Sequence, residues 1–539
     1  MTNLEPRILY VRSKSEYPFR ARSSRRNAEM KMFTFRFVVR FSSMRSVLSV
    51  VQDLRLRLFA IIPVLALLTA CTVGPDYVRP DTETPAVFKE GWKEAQPRDG
   101  ELRGNWWEAF NDPLLSDLQE QVSISNQNLA LAEAQYRQAR SLVQSARAGY
   151  VPSVSAGASA DRSRAPASGN SIDRGVRNSY SISVDAVWEL DLWGRVRRSV
   201  ESSEAGAQAS AADLESLRLS AQAELATNYF QLRSLDTQRQ LLDDTVVAYE
   251  RSLKLTENQY AAGIVAKADV VQAQTQLKAT QAQALDTGVQ RAQLEHAIAL
   301  LIGKPASSFT IERAPLVADP PYVPAGMPSD LLERRPDIAT AERRMAQANA
   351  DIGVARAAYY PTLTLSAAAG FQNSVLSGLI SAPNRFWSVG PALAQTLFDG
   401  GARRAVSDNA VAAYDGNVAF YRQTVLTGFK EVEDNLAALR ILEEEARIQE
   451  EAVQSARQSV LLTTNQYKAG LVSYLNVIVV QASALNVERN AVDIRNRRLA
   501  ASVALIKALG GGWKASDLSA DVDFARSQST AGKKSPAPQ

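Results

Sequence analysis

The sequence is poor in sulfur and imidazole, with one cysteine, Cys71, and one histidine, His296, among 539 residues. One cysteine cannot form a disulfide within the chain, and one residue of each kind cannot supply the four ligands of a structural zinc site. The sequence also offers no paired carboxylates on facing segments, no glycine-rich phosphate loop and no nucleophile beside a base. We therefore predict that the protein is not an enzyme and needs no cofactor or metal, and that His296 lies on a helix face.

Long apolar runs are also scarce, and the run at residues 58–70 follows Arg55 and Arg57. With about 13 residues it is too short to span a bilayer, which takes about 20, but it fits the apolar region of an export signal. A signal starting at Met44 has about 27 residues, inside the usual range of roughly 15 to 30, whereas one starting at Met1 is far too long. We interpret residues 44–70 as a signal peptide and residues 1–43 as an upstream start assignment or an unusual leader.

Positive charge is in excess only in that leader. Residues 1–70 hold 13 of the 61 Lys and Arg but 4 of the 57 Asp and Glu, which leaves 48 basic and 53 acidic residues from Cys71 onward. The net charge therefore changes from +4 for the whole chain to −5 for this part. Binding to nucleic acid loses its electrostatic basis, and we predict no nucleic-acid partner.

The cysteine follows the apolar run directly, in Leu68-Thr-Ala-Cys71. This motif resembles the bacterial lipobox, in which the thiol receives a diacylglyceryl group, the signal is cut before the cysteine and the new amine is acylated. Three acyl chains, at about 0.8 kcal/mol per buried methylene, anchor a chain firmly. The alternative, a buried cysteine in a signal-anchor helix, is disfavoured because nothing apolar follows. We predict that Cys71 is the N-palmitoyl, S-diacylglycerol cysteine of an outer membrane lipoprotein, since Thr72 rather than Asp follows it.

The chain repeats itself, which indicates a duplicated unit of about 200 residues rather than a repeat array. Three blocks recur in the same order at offsets of 206 to 209 residues: "LTENQYAAGIVAKADVVQAQ" from Leu255 returns from Leu462, "ARAGYVPSVSAGA" from Ala146 returns from Ala355, and "LDLWGRVRRSV" from Leu190 returns from Thr396.

Proline is absent between Pro166 and Pro305 and between Pro391 and Pro536. Apolar residues in the first of these tracts follow a heptad-like pattern, which predicts a coiled-coil helix over about 195–260, roughly 100 Å long, and a second one over about 402–467. Each long helix ends at a glycine, Gly263 or Gly470, and a second antiparallel helix starts near Asp269 or Asn476. The sequence therefore predicts two helical hairpins.

Apolar and polar residues alternate over residues 180–192, 361–366 and 387–397, and more weakly over 152–160. This pattern predicts four strands, and their lengths and flanking aromatics, Tyr180, Trp188 and Trp193, match membrane β-strands. A soluble sheet is disfavoured by the export signal and by helices too long to cover one small sheet. Since four strands cannot close a membrane barrel alone, several chains must share one.

Four blocks resemble the outer membrane efflux protein family of TolC-like channels, in its NodT-type lipoprotein branch. They are "CTVGPDYVRP", "WWEAFNDPLL", "LLERRPDIATAERRMAQANADIGVARAAYYPTLTL" and "LFDGGARRA". The resemblance implies a homotrimer in which four strands per chain form a 12-stranded barrel above a periplasmic α-helical tunnel. It further implies a passive exit duct for drugs or other small molecules, joined by a periplasmic adaptor to an inner-membrane pump of the resistance-nodulation-division (RND) type.

The resemblance assigns adaptor docking to the two hairpin tips. In the family the second helix of each hairpin narrows the periplasmic aperture, often with an aspartate ring. Here Asn476 stands where an acid is expected and Asp269 takes the matching place in the first copy, although helix capping explains both residues equally well. Gating is expected to be an iris-like movement of packed helices. The tip residues are Gly263, Ile264, Val265, Gly470, Leu471 and Val472.

Two alternatives stay open: the duct of a type I protein secretion system, and a periplasmic adaptor lipoprotein, which carries one hairpin rather than two. Arg334-Arg335 and Glu342-Arg343 are expected to form a charge cluster on a helix surface. The predicted segments after the signal peptide are 71–113, a lipid-anchored N-terminal segment; 114–305, the first repeat; 306–327, a linker; 328–513, the second repeat; and 514–539, a disordered tail.

Overall fold

The structure, a computed structural model, describes residues 72–82, 84–89, 104–164, 176–323, 328–516 and 518. Cys71, the signal peptide and the preceding leader lie outside the described residues. The helices and strands are α1 (Pro113–Ser125), α2 (Gln127–Ala148), β1 (Ser153–Arg164), β2 (Val176–Leu190), α3 (Arg195–Ala261), α4 (Lys267–Leu301), α5 (Leu331–Arg334), α6 (Pro336–Ala357), β3 (Thr362–Asn373), β4 (Arg385–Ala394), α7 (Ala402–Lys468) and α8 (Tyr474–Ala508).

The two copies have helices of equal length. Helices α2 and α6 have 22 residues each, α3 and α7 have 67 each, and α4 and α8 have 35 each. Their bounds place a residue of α2 209 positions before its counterpart in α6, and a residue of α3 or α4 207 positions before its counterpart in α7 or α8. At 1.5 Å per residue the long helices measure about 100 Å. The predicted duplication and long helices are confirmed.

A sharp corner leads from β2 into α3 and from β4 into α7. Gly194 and Gly401 precede α3 and α7 with φ of 79° and 94°, a left-handed backbone that favours glycine. Before each glycine an aspartate accepts from free N–H groups at the helix start: Asp191 from Val196 (2.9 Å), and Asp399 from Gly401 (3.0 Å). The same corner is thus built twice.

The four strands form one antiparallel sheet in the order β1-β2-β3-β4. In its register Tyr180 lies opposite Ala160 and Asn373, and Trp188 lies opposite Leu365. Among the described residues β1 and β4 each pair on one side only, so both edges of the sheet are open. The four predicted strands are confirmed, with most bounds shifted by one to four residues, but β3 continues seven residues beyond its predicted end. No helix in the described part of the chain is both long enough and apolar enough to cross a membrane.

The helices lie side by side in one layer, which we call the wall, and their order next to the sheet matches the order of the strands. Next to the sheet the order is α2-α3-α6-α7, and at the far end it is α4-α3-α8-α7. The main core lies between these zones, where α1 and the 3₁₀ turn Trp106–Phe110 pack on α3 and on the ends of α4 and α8. Its largest fully buried side chains include Trp106, Tyr229 and Tyr421.

The expected surface charge cluster is wrong for two of its residues. Arg335 is 6% exposed and Glu342 is 7% exposed. The Arg335 guanidinium donates to Glu431 (2.7 Å) and to the Ala508 carbonyl (3.0 Å), and thereby fastens the start of α6 to α7 and to the end of α8. Glu342 accepts from the Tyr77 hydroxyl at 2.6 Å. Both are buried because segments distant in sequence cover them.

The expectation of a disordered tail from residue 514 is wrong for its first residues. The Ala515 N–H donates to the Glu333 carbonyl at 2.7 Å, and Leu518 is buried against Ala211 and Ala212. The rest of the tail lies outside the described residues. The fold therefore includes residues 514–516 and Leu518.

Candidate functional site at the hairpin tips and the sheet junction

The two tips share one turn geometry. Gly263 has φ of 72° and Gly470 of 73°. After the first long helix the Ile264 N–H donates to the Gln259 carbonyl at 2.8 Å, and after the second the Leu471 N–H donates to the Gln466 carbonyl at 2.9 Å. With a second bond from each glycine N–H, these are Schellman caps, which satisfy the last carbonyls of a helix. The glycines are needed for their backbone angle, since a Cβ at either position would meet nothing within 4 Å.

Each tip presents one large apolar side chain to solvent. Ile264 is 69% exposed and Leu471 is 75% exposed, while Val265 and Val472 are half-buried behind them. A rigid turn with an exposed apolar side chain at its apex is a surface suited to packing against another protein. The structure thus places all six predicted tip residues at the far ends of the two hairpins.

The second tip is attached to the first hairpin. The Tyr467 hydroxyl on α7 donates to Gln259 of α3 at 2.5 Å and lies 3.3 Å from the Thr256 hydroxyl. Tyr474 of α8 is buried beside the Tyr467 ring, with ring centroids 5.3 Å apart, and burial raises the pKa of Tyr474 to about 12. These contacts hold the tip of the second hairpin against the first hairpin.

The two aperture candidates differ. The Asp269 carboxylate accepts from the Ala266 N–H at 3.2 Å, so it caps the start of α4. Burial and the negative charge of Asp269 raise the pKa of Tyr467 against the opposing effect of the hydrogen bond with Thr256, so Asp269 lies near the tyrosine pair. Asn476 is exposed on α8, and its backbone N–H donates to Ser473 at 3.1 Å.

A segment that we call the strap, residues 72–82 and 84–89, runs from the sheet junction along the helices. The Val73 N–H donates to the Trp193 carbonyl (3.2 Å), and Asp76 pairs with the buried Arg198 (2.7 Å). Further along, Arg79 donates to the Tyr421 hydroxyl (3.0 Å). The strap thus fixes Thr72 beside Gly194, at the corner where β2 becomes α3.

Aromatic side chains lie on β2 and at the corner that follows it. Tyr180 and Trp188 are eight residues apart on β2, about 26 Å along the strand at 3.3 Å per residue. Trp193 lies at the corner, where its indole donates to the Pro361 carbonyl (2.7 Å) and its ring stacks on Tyr360 at 4.8 Å. The sheet also exposes Trp387, which the sequence reasoning did not single out.

Comparison with known proteins decides the family. The model of the family described as "Outer membrane efflux protein" matches residues 118–304 and 327–511. The chain belongs to the outer membrane efflux protein family.

Curated and solved members support this assignment over most of the chain. The probable efflux pump outer membrane protein TtgC of Pseudomonas putida is 31% identical over 83% of this chain and 94% of its own length. The pyoverdine export outer membrane protein OpmQ of Pseudomonas aeruginosa is 33% identical over 76% of this chain and 87% of its own. The solved outer-membrane channel OprN is 33% identical, with a TM-score of 0.77, over 82% of this chain and 100% of its own. Outer membrane efflux is therefore the function of this chain.

Among the described residues no three His, Cys, Asp or Glu side chains group to hold a metal ion. His296 is exposed on α4, as expected. The sequence did not reveal the partners of the strap, nor the contacts of Tyr467 with Gln259 and Thr256, which we call the clamp. The one sequence signal for the clamp is that Tyr260 recurs as Tyr467 in the repeated blocks.

Proposed function

We propose that this efflux protein is one subunit of a homotrimeric exit duct, which passively conducts drugs or other small molecules from the periplasm to the exterior. The observation that carries the proposal is the sheet of four strands with two open edges, which continues into a wall of long helices. An open edge in lipid leaves backbone N–H and C=O groups without partners, which costs several kcal/mol per group. The edges therefore require other strands.

The edges are not alike, because one is β1 and the other is β4. A contact between unlike edges is heterologous, and such contacts form a ring when the rotation closes. Three copies supply twelve strands, above the minimum of about eight for a membrane barrel. The wall of helices closes in the same rotation and forms the periplasmic tunnel.

The strap supports a lipid anchor at Cys71. It holds Thr72 at the corner beside Trp193, where the strands meet the helices. Acyl chains on the preceding residue would enter the periplasmic leaflet without crossing any helix. A lipidated Cys71 in the outer membrane is therefore compatible with the position of the residue that follows it.

The tips are the proposed docking surface for a periplasmic adaptor, which links the duct to an RND pump in the inner membrane. Exposed Ile264 and Leu471 offer the apolar contacts, and opening of the aperture moves the second hairpin away from the first. The relatives are named for efflux pumps and export, which favours this proposal over type I secretion. An adaptor carries one hairpin, whereas this chain has two.

The test uses outer membranes from a deletion strain that expresses the full-length chain. We expect the strain to become drug-susceptible on deletion and resistant again on complementation, and the chain to run as a heat-modifiable trimer on semi-native gels. A monomer alone would contradict the shared barrel. In a Cys71→Ser arm, palmitate labelling should disappear, and persistent labelling would contradict lipidation.

A further inference from the structure

The two faces of the four-stranded sheet differ in character. The pairing of the strands is continuous, so alternate residues of each strand share a face. One face is mostly apolar and carries Trp188 and Trp387. A membrane barrel is apolar outside and polar inside, so this face meets lipid and the opposite face lines the bore of the proposed ring. The opposite face, which we call the bore face, consists of every second strand residue counted from Ser153, Arg177, Thr362 and Phe386.

The bore face is lined mainly by small polar groups. Nearly half of its residues are Ser or Thr. The Ser159 and Ser181 hydroxyls lie 2.9 Å apart across β1 and β2, and the Gln372 amide of β3 donates to the Ser179 hydroxyl at 3.2 Å. Neutral groups of this kind attract solutes weakly. A charged or aromatic side chain among them therefore decides which solutes the wall of the bore attracts.

Asp185 of β2 places a negative charge near the middle of the bore face. The Ser183 hydroxyl donates to its carboxylate at 2.7 Å. On the bore face of the described strands the only basic residue is Arg177, eight residues away, about 26 Å at 3.3 Å per residue. Glu189, the next carboxylate on this face of β2, pairs instead with Arg195 at 2.6 Å. The charge of Asp185 is thus left uncompensated on this face.

Phe386 of β4 is the one aromatic residue on the bore face of the described strands. It is half-buried and lies opposite Gly370 of β3. Two residues further on, the exposed Ser388 lies in one row with Ala368 and Asp185. Two strand spacings of about 4.8 Å and two residues of about 3.3 Å place Phe386 and Asp185 about 12 Å apart in the sheet. A drug-sized molecule at the wall can therefore contact both side chains.

We propose that Asp185 and Phe386 form a contact site for amphiphilic organic cations on the wall of the bore. The inference rests on the proposed ring of copies and names the class of solute that the duct favours. In a ring with rotational symmetry the pair occurs once in each copy, so Phe386 alternates with Asp185 around the bore. A solute that combines an amine with an aromatic ring finds a partner for each group, whereas an organic anion is repelled by the carboxylates.

Both contacts are weak, as conduction requires. The carboxylate attracts a cation through solvent, where salt screens the charges, and the face of the Phe386 ring attracts it through the ring quadrupole. A site in a duct must be favourable enough for a solute to enter and weak enough for it to leave. The surrounding hydroxyls add no strong contact, so the bound solute can move on.

The experiment measures the local charge with a cysteine beside the site, in outer membranes with the full-length chain. Ser388→Cys provides the thiol, and the wild-type chain corrects for Cys71. We compare its modification at low salt by a cationic methanethiosulfonate, with a trimethylammonium group, and by an anionic one, with a sulfonate. Asp185→Asn should lower the cation-to-anion rate ratio about fivefold, because the lost charge acts in opposite senses on the two reagents. The control Asp81→Asn, at an exposed position of the strap, should leave the ratio unchanged.

Protection of the same thiol tests the class of solute, with an uncharged methanethiosulfonate as the reagent. Tetraphenylphosphonium, an aromatic cation, should slow the modification of Ser388→Cys, and benzenesulfonate, an aromatic anion, should not. Phe386→Ser should raise the half-protecting concentration of tetraphenylphosphonium about threefold, as expected for one exposed cation–π contact. Thr362→Cys, on the bore face but eight residues along β3 from Gly370, should not be protected.

An unchanged rate ratio in Asp185→Asn, or equal protection by the two aromatic probes, overturns the contact site. Val389→Cys, on the opposite face, separates this result from a failure of the ring. Reagents in water should modify Ser388→Cys and spare Val389→Cys. If that pattern and drug resistance persist while the ratio or the protection fails, the proposed function stands and the contact site is wrong. If Val389→Cys reacts and Ser388→Cys does not, both the bore face and the proposed ring are wrong.

Discussion

At matching positions, the two repeats use different side chains to bond the last carbonyl of the second hairpin helix. Asn126 and Arg335 occupy matching positions, immediately before α2 and α6. Asn126 donates to the Leu301 carbonyl at the end of α4 (2.8 Å), and Arg335 donates to the Ala508 carbonyl at the end of α8 (3.0 Å). Only Arg335 also reaches α7, through Glu431, because α6 lies between two helices whereas α2 lies at the edge of the wall.

The tips differ in the same way. Tyr467 and Tyr474 hold the second tip to the first hairpin, but their counterparts in the first copy are Tyr260, which is 44% exposed, and Lys267. The Lys267 ammonium lies 5.4 Å from the centroid of the Tyr260 ring, a cation–π contact between α3 and α4 within the first hairpin. The backbone of each repeat is therefore preserved, and its side chains follow the neighbours that each copy meets.

The largest effect is expected where the tips agree. Changing Ile264 or Leu471 to Asp places a charge on the proposed docking surface, and either change should abolish resistance, because a charge without a partner is strongly disfavoured in an apolar contact. Drug susceptibility of complemented strains measures this. Val317→Asp, at a linker position that is 76% exposed, is the control and should keep resistance. Full resistance of both tip variants would contradict docking at the tips.

The second effect separates Arg335 from Asn126. Arg335→Ala removes charge-assisted bonds to Glu431 and Asp337 together with the bond to Ala508, and should cost about 3 kcal/mol. Asn126→Ala removes a helix cap and one carbonyl bond and should cost about 2 kcal/mol. Midpoints of thermal unfolding in detergent should rank accordingly. An equal loss for both variants would show that the contact with α7 contributes nothing.

The third effect tests the clamp at the second tip. Tyr467→Phe removes the hydroxyl that bonds Gln259 and Thr256, a loss of about 1 kcal/mol, which should favour the open aperture. We expect greater uptake of large antibiotics that intact outer membranes exclude. Tyr260→Phe, at the matching position of the first tip, should leave uptake unchanged. If the two variants behave alike, the clamp does not hold the aperture.

The smallest effect concerns pH and Glu295 of α4. Burial acts to raise the pKa of Glu295, but bonds from the Ile311 N–H and the Thr310 hydroxyl and the charge of Arg291 together lower it. A lowered pKa contributes stability above the ordinary carboxyl range, and this contribution is lost as the pH falls through the folded-state pKa. Glu295→Gln should therefore reduce the free energy of unfolding at pH 7 by about 1 kcal/mol or less, and the variant should converge with the wild type as the pH falls through the folded-state pKa. A constant difference across this range would contradict titration of Glu295. The second repeat has Ser502 at this position and no such dependence is expected from it.

The sequence allowed the helices, strands and hairpins to be predicted because each has a local signal: heptad spacing, alternation, or a glycine at a turn. It did not reveal the burial of Arg335 and Glu342, because a charged residue on a helix is normally solvated and only distant segments decide otherwise. Glu431, 96 positions after Arg335, and Tyr77, 265 positions before Glu342, are such segments. The positions of the docking and aperture residues were predictable because local turn signals mark them. Their roles depend on contacts with other chains, which a single sequence does not specify.

The equal lengths of the paired helices limit how this protein can change in evolution. One extra heptad in α3 and α4 alone would carry the first tip about 10 Å beyond the second, since each residue adds 1.5 Å. A partner that needs both tips would then reach only one of them. Insertions and deletions in the hairpins should therefore occur in both repeats together and in whole heptads, which keeps the two tips level with each other.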